Sequence, residues 1–390
     1  MGYRTVVAPA DSYLFYELLV PSHYPGVRSV SFMDVSATEV SSQPDRHRGT
    51  SHGLVCAHHH LYSALARGMP APPADPGSFL EILQQVWWRL DRALDIETIE
   101  WSAKLGALEA LEAGCTAIVD HHESPNAIEG SLSTIADACA EVGVRVSTCY
   151  GVTDRHGADG AERGLAENDA YLAAGGRGMV GVHAAFTCTD DTLAAAAELA
   201  SRHGVGVHIH VAEGIDDVEA ADRIRHLTND KWLIVHGVHL PDDHGLAGTI
   251  VHNPRSNMNN SVGYSRPMRF TNPVALGTDG IGADMLDEFR VAYVKSREES
   301  LDHTPDLAWS WLQANEELFP EVRNDTVSWS YHTIEPWHLA YTTTVRAIDI
   351  DIDGKPALRD GNATRVDGDE IRAKAGEAAK KLFAKLEAMP

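Results

Sequence analysis

From residue 53 to about residue 300, short apolar runs alternate with longer amphipathic ones, a rhythm that predicts repeated strand–helix units. The apolar runs predict strands over 53–60, 115–122, 144–152, 179–187, 205–212, 232–239, 248–253 and 273–279. Between them, helical periodicity is clearest over 101–113, 131–142, 160–174, 190–203 and 284–298, with glycine following several of these segments. Eight strands alternating with helices predict an α/β fold with a parallel sheet, and eight is the number that closes a TIM-type (β/α)8 barrel. A doubly wound sheet fits less well, because no Gly-rich phosphate loop follows the first strand. The connections 241–247 and 258–271 are too short or too Pro-rich for full helices, so the barrel is expected to be trimmed there.

The flanks read differently. Residues 1–52 are poor in helical periodicity and rich in Ser, Pro and β-formers. Residues 328–360 predict a few strands, Thr343 to Ile350 being the clearest, and 367–388 predict an amphipathic helix capped by Asp367 or Asp369. We therefore expect a small β domain, reduced or complete, formed by the chain termini. The division is 1–52 for its N-terminal part, 53–320 for the barrel, and 321–390 for the C-terminal strands and terminal helix.

Composition changes this picture little but excludes several classes. At 390 residues and 44% hydrophobic, the chain can fill one large core with a smaller appended unit. No run approaches the roughly 18 apolar residues of a membrane span, and Met1-Gly2-Tyr3-Arg4-Thr5 lacks the apolar core of a secretory signal, so a cytoplasmic protein is expected. A formal charge of −24 opposes nucleic acid and anionic membrane as partners. The five cysteines are odd in number and show no paired short spacing, which predicts reduced, buried thiols rather than disulfides or a thiolate metal site.

Candidate chemistry collects where predicted strands end. The first strand ends in His58-His59-His60, where residues two apart share a face, so His58 and His60 can grip one object while His59 points away. The second ends in Asp120-His121-His122, the fourth carries His183, and the fifth ends in His208-Ile209-His210-Val211-Ala212-Glu213. The sixth holds His236 and His239, the seventh ends in His252-Asn253, and the eighth in Thr278-Asp279-Gly280. Barrel sites lie at strand C-termini, so these residues predict one shared site. Imidazoles plus one carboxylate with an open position are the zinc or non-haem iron pattern, and such an ion makes a water acidic near neutral pH. His208 and His210 share a face, and parity alone does not choose between them.

As an ordered set, the HxH of His58 to His60, His210-x-x-Glu213, Val235 to Leu240 and Gly277-Thr278-Asp279-Gly280 resemble the amidohydrolase superfamily, in its aminohydrolase and chlorohydrolase branch. Trp87 to Arg92, Asp120-His121-His122, Gly130 to Thr134, His252 to Asn260 and Gly277 to Met285 are similar to the SsnA-like aminohydrolases. The resemblance covers roughly residues 53–300. The chain departs from the family at its ends: His52-Gly53 stands where Pro-Gly is usual, and no Gly-Arg-Ile turn or Gly-Lys-x-Ala-Asp segment is visible.

The resemblance implies that His58, His60, His210 and Asp279 bind one divalent metal, zinc with iron as the alternative. It assigns Glu213 as proton carrier, His236 to a place beside the attacking water, and Asp279 as the base. A two-metal member would need a lysine on strand four, and Gly178 to Thr187 contain none. The implied activity is hydrolytic deamination at a C–N bond of a small nitrogen heterocycle. Dechlorination or cyclic-amide opening at the same centre, and a catalytically silent metal-binding homologue, are the alternatives. Tyr62, Arg67, Trp88, His121, His122, His183 and Asn257 are candidates to touch the small-molecule substrate, with Arg255 and Asn260 either doing the same or pinning the loop after strand seven. A homodimer is expected on the general prevalence of two-fold assemblies.

Overall fold

A computed structural model describes residues 48–389. Most of the expected N-terminal part of the small domain, residues 1–47, lies outside the described residues. Eight parallel strands form a closed α/β barrel: β1 Leu54–His60, β2 Cys115–Asp120, β3 in two pieces, Arg145–Ser147 and Gly151–Val152, and β4 Val180–Ala184. The circuit continues with β5 Val207–Val211, β6 Leu233–His236, β7 Thr249–His252 and β8 Val274–Leu276. β3 is broken because its first half pairs with β2 and its second with β4, and bridges at Thr148–Gly178 and His122–Tyr150 carry it across the gap. The seam between β8 and β1 closes just beyond β8, where Asp279–Gly280 pair with His59 and His60.

All eight expected strands are present, and six of them stop earlier than their apolar runs, where functional residues leave the ladder; β1 and β3 run to the expected ends at His60 and Val152. β6, for example, ends where His236 turns to φ +72. The main helices are α1 Ile96–Glu112, α2 Ser131–Val142, α3 Gly157–Ala173, α4 Asp190–His203, α5 Pro254–Asn259, α6 Met285–Glu299, α7 Pro305–Ala314 and α8 Gly368–Ala388. α1 begins before residue 101 because Asp95 and Thr98 form a reciprocal capping box, each side chain bonding the other's backbone N–H at 2.8 Å. Asp367 rather than Asp369 caps α8, accepting from the amides of Asp369 and Glu370. Segments 241–247 and 258–271 hold no full helix, as expected.

Two apolar layers result. Inside the barrel, Val55, Ala57, Ala117, Val119, Leu233, Val235, Val251 and Ala275 pack together, and Phe319 and Val322 from the segment after α7 plug the end opposite the strand C-termini. Outside it, α1 and α8 share a core with a small antiparallel sheet of order Thr50–Ser51, β9 Thr326–Trp329, β10 Ala347–Ile352, β11 Lys355–Arg359 and β12 Asn362–Ala363. The strand expected over Thr343 to Ile350 starts only at Ala347. Thr343 and Thr344 are exposed, and burial of alternate residues begins later. Trp329 lies against Gly114, whose φ of +85 and missing Cβ make room for the indole ring. No helix among the described residues is long and apolar enough to cross a membrane.

Two buried polar residues tie these parts together. Asp325 accepts from the Thr116 hydroxyl at 2.6 Å and from both terminal nitrogens of Arg145 at 2.7 and 3.0 Å, which anchors β2 and β3 to the start of β9. Asn315 stands on the seam: its amide donates to the carbonyls of Val55 and Leu276, both at 2.7 Å, and its oxygen accepts from the Leu276 N–H at 2.9 Å. Replacing Asn315 with Ala leaves three buried backbone groups unpaired. The expected cost is on the order of 3 kcal/mol, read as a melting temperature lower by roughly 5 °C; an unchanged melting temperature would show that the seam closes without this side chain.

Candidate metal centre and its cavity

The side chains at the strand ends meet in a single cluster. His58, His60, His210 and Asp279 each present one ligand atom, and the four atoms lie within 4.8 Å of one another. β1 supplies His58 and His60 on one face, while His59 turns the other way and bonds the Thr278 hydroxyl at 2.9 Å. Each of the three facing imidazoles is held through its second nitrogen. Nδ1 of His60 donates to the His121 carbonyl at 2.6 Å, and Nδ1 of His210 donates to the His183 carbonyl at 2.7 Å. Nδ1 of His58 bonds Nε2 of His208 at 2.9 Å. These bonds leave the Nε2 lone pairs directed at the centre.

His208 therefore stands behind His58, with its own Nδ1 3.6 Å from Cys149 Sγ, and the choice that strand parity leaves open falls to His210. Burial pushes His58 down to about 3 and His210 well below its ordinary value, so both rings stay neutral. For His60 burial acts the same way, but the Asp279 carboxylate, 3.0 Å from Nε2, outweighs it and raises the pKa. Burial would raise Asp279, yet its bonds to His58 and His60 hold it well below the usual carboxylate range. Three imidazole nitrogens and one ionised oxygen gathered this closely are the donor set of a divalent first-row ion.

Beside the four donors lies a second set. His236 Nε2 is 3.3 Å from Glu213 Oε2 and 4.0 Å from Asp279 Oδ2. Burial, then the charge of Asp279, pushes the Glu213 carboxyl well above its ordinary value, which favours its protonated form. The short helix α5 reaches all three groups. Ser256 Oγ donates to Asp279 Oδ2, Asn257 Oδ1 is 2.8 Å from His236 Nδ1, and Asn260 bonds Glu213. Asn253 and Pro254 start this helix directly at the end of β7, so its first turn is fixed at the rim.

A cavity opens over the cluster. Tyr62, Trp88, His121 and His183 of the expected substrate contacts line it, together with His60, His210, Glu213 and Asp279. Asn257 is buried under His236 and does not face the cavity. Two expected contacts are turned elsewhere. Arg67 is exposed and paired with Glu109 at 2.6 Å, and His122 is buried against Ser124 at 2.8 Å; neither lines the cavity. Arg255 and Asn260 both border the cavity and both bond the loop, Arg255 to the Thr278 carbonyl and Asn260 to the Ser256 hydroxyl. His252 packs between Tyr264 and Trp311 with Nδ1 on the Ser265 hydroxyl, away from the cluster.

Several lining residues have no role that the sequence assigns. Phe79 and Leu83 precede Trp87 and Trp88 on a helix with one π-helical turn, Leu83–Trp87, and all four line the cavity. Asp91 and Glu123 form an acidic wall, with Arg155 paired to Glu123 and stacked 4.0 Å over Trp88. Asp91 lies inside the segment Trp87 to Arg92 already singled out, without a role assigned to it, and Glu123 directly follows Asp120-His121-His122. Arg155 sits in the loop after β3, where nothing in the local sequence marks it.

A model of the family described as amidohydrolase family matches residues 52–314. The chain is 32% identical over 280 residues to the 5'-deoxyadenosine deaminase of Methanopyrus kandleri, covering 64% of this chain and 62% of that one. It is 29% identical over 306 residues to the 8-oxoguanine deaminase of Pseudomonas aeruginosa, covering 66% of this chain and 67% of that one. Among solved structures, an adenosine deaminase from Xanthomonas campestris with bound zinc superposes with a TM-score of 0.72 at 20% identity over 87% of each chain. The matched segment thus spans a little under two thirds of the M. kandleri protein, and the structural likeness at this identity is one of fold.

Asp217 fixes the loop that carries Glu213: its oxygens accept from the amides of Phe186 at 2.9 Å and Ala212 at 2.8 Å. Burial nevertheless pushes its carboxyl up to about 7. An unfolded carboxyl titrates near 3.9, so between about pH 4 and pH 7 the folded chain holds the extra proton and stability falls as pH rises. Across that window the wild type should lose on the order of 3 kcal/mol relative to Asp217→Asn. The check is the difference in melting temperature between the two proteins, which should fall from about pH 5 to pH 7 and then level; a flat difference would show Asp217 ionised throughout.

Proposed function

Because the chain belongs to the amidohydrolase family, we propose that it is a metal-dependent aminohydrolase, a hydrolytic deaminase acting on a C–N bond of a small nitrogen heterocycle. The observation that supports this reading is the company of Glu213: a carboxyl 3.3 Å from His236 that burial pushes well above its ordinary value, beside Asp279, which its bonds to His58 and His60 hold well below the usual carboxylate range. Acid and base at one point are what hydrolytic removal of an amino group requires. The relatives named for deamination of 5'-deoxyadenosine and 8-oxoguanine favour an amino-bearing purine, and Phe79, Trp87, Trp88 and Phe186 offer such a ring apolar walls.

In this reading His58, His60, His210 and Asp279 hold one zinc ion, for which the zinc of the X. campestris structure is a precedent. A divalent ion supplies Lewis acidity that makes a water acidic near neutral pH. His236, with Nδ1–H donated to Asn257, keeps a lone pair on Nε2 and accepts a hydrogen bond from the attacking water, aiming its oxygen at the substrate carbon. Asp279 Oδ2, oriented by Ser256, takes the proton that the water gives up. Glu213 gives its proton to the ring nitrogen next to the attacked carbon, so the ring does not build up negative charge. Return of the first proton from Asp279 to the amino group lets ammonia leave, and the hydroxyl proton passes back to Glu213 as the carbon–oxygen bond becomes a carbonyl, so that both carboxyl groups regain their starting states.

The proposal extends to the whole chain. Residues 53–320 form the catalytic barrel, with 1–52 and 321–390 as the small domain, a division supported by the pairing of Thr50–Ser51 with β9. Five unpaired thiols support a cytoplasmic location, and the prevalence of two-fold assemblies supports a homodimer.

The test combines metal analysis with ammonia release across a panel of purine bases and nucleosides. About one equivalent of metal is expected per chain, with turnover of at least one amino-purine. Glu213→Gln should lower kcat by roughly 10³-fold with metal content unchanged. Metal-loaded enzyme that releases no ammonia from any member would remove the deaminase reading; undiminished turnover in Glu213→Gln would remove the proton carrier.

A further inference from the structure

We propose that Arg255 and Glu288 are a positioning pair for Asp279, clamping the turn that carries it; the inference rests on the role given to Asp279 above. The backbone of this turn is one its residues do not favour. Asp279 has φ +61 and Ile281, a β-branched residue, φ +57, with Gly282 at +95. Two non-glycine residues in the left-handed region within three positions persist only where the surroundings over-determine them.

The restraints come from two sides. From the β1 side, the His58 carbonyl accepts from Thr278 N–H at 3.0 Å, and the Ser63 hydroxyl accepts from Ile281 N–H at 2.9 Å. From the opposite side, a single nitrogen of Arg255, Nη2, donates to the carbonyls of Thr278 at 2.8 Å and Gly280 at 3.1 Å, one on either side of Asp279. Arg255 is itself fixed by Glu288 on α6, which accepts from the Arg255 backbone N–H at 2.9 Å and from its Nε at 3.3 Å.

Glu288 is 1% exposed and is not among the residues that line the cavity. A carboxylate so placed is costly unless it is paired, and its pairing here is spent on orienting one side chain. The job needs a planar fork that spans a carboxylate and two carbonyls at once. Lysine carries the charge without that shape. With the turn held, Asp279 Oδ1 faces His58 and His60 while Oδ2 stays under Ser256; release of the turn frees the carboxylate to swing out of both contacts.

The experiment uses the full-length protein loaded with cobalt(II) as a probe, in wild type, Arg255→Lys, Arg255→Ala and Glu288→Gln. Cobalt affinity is read by chelator competition and the visible absorption band, and amide hydrogen exchange is followed over 278–282. Arg255→Ala and Arg255→Lys should both bind cobalt at least about tenfold more weakly, with faster exchange confined to that turn. Glu288→Gln should show a smaller loss, and millimolar guanidinium should restore the Arg255→Ala protein. Wild-type affinity and exchange in Arg255→Lys would show that charge suffices and would overturn the clamp. Loss of protection throughout the barrel in every variant, Glu288→Gln included, would make the pair a folding element and would overturn it too. Wild-type protein that binds no cobalt, while Arg255→Ala still releases amides 278–282, would sink the metal reading and uphold the clamp.

Discussion

Each imidazole that faces the centre of the cluster is already bonded through its other ring nitrogen, and the rest of the site depends on that constraint. The acceptors for His60 and His210 are carbonyls of His121 and His183, residues at the ends of β2 and β4. In the barrel circuit β1 lies beside β2 and β5 beside β4, so each ring takes its orientation from the strand next to its own. The order of strands in the closed sheet thereby sets which nitrogen points inward. Burial reinforces the choice by holding His58 and His210 neutral, and a neutral imidazole with one nitrogen spent can offer a cation only the other.

The rest of the cluster is built from backbone that departs from regular geometry. Ala212, His236 and Asp279 all adopt positive φ, and they stand just before, at and at the three positions given acid, water-holding and base roles. A regular strand would send alternate side chains to opposite faces and keep at most one of them at the rim. Turning the chain immediately after the strand lets three different strands bring carboxyl and imidazole groups within 4 Å. α5 offsets the cost of these conformations, because its polar residues bond the groups that the turns deliver.

Strand and helix positions were legible because burial imposes simple periodicities on them, and the barrel follows from their count. The ligand set was legible because a closed parallel barrel brings the C-terminal ends of all its strands to one rim, so histidines at those ends converge. The choice of His210 over His208 was legible only through the resemblance and its His210-x-x-Glu213 spacing, since the two share a face; in the structure the contact between His208 and His58 separates them. Arg67 and His122 lie close in sequence to ligands and motif residues, but sequence proximity does not show which way a side chain leaves a turn. One leaves toward Glu109 on α1 and the other toward Ser124. Asn257 illustrates the converse case, a residue placed in the right neighbourhood whose partner is a side chain, His236, rather than a ligand. The strand expected from Thr343 began at Ala347 because β-forming residues in an exposed segment have nothing to pack against.

The seam residue Asn315 and the plug residues Phe319 and Val322 stand just past residue 314, where the family match ends. The segment that carries every donor and every acid–base group described above therefore ends before the side chains that bridge its seam and fill its floor. Cut out at its family boundary, it would keep its chemistry in sequence while its first and last strands lost the side chain that joins them and its floor stood open to water. In this molecule the end of the family match and the last side chains that the barrel interior packs against are different places on the chain.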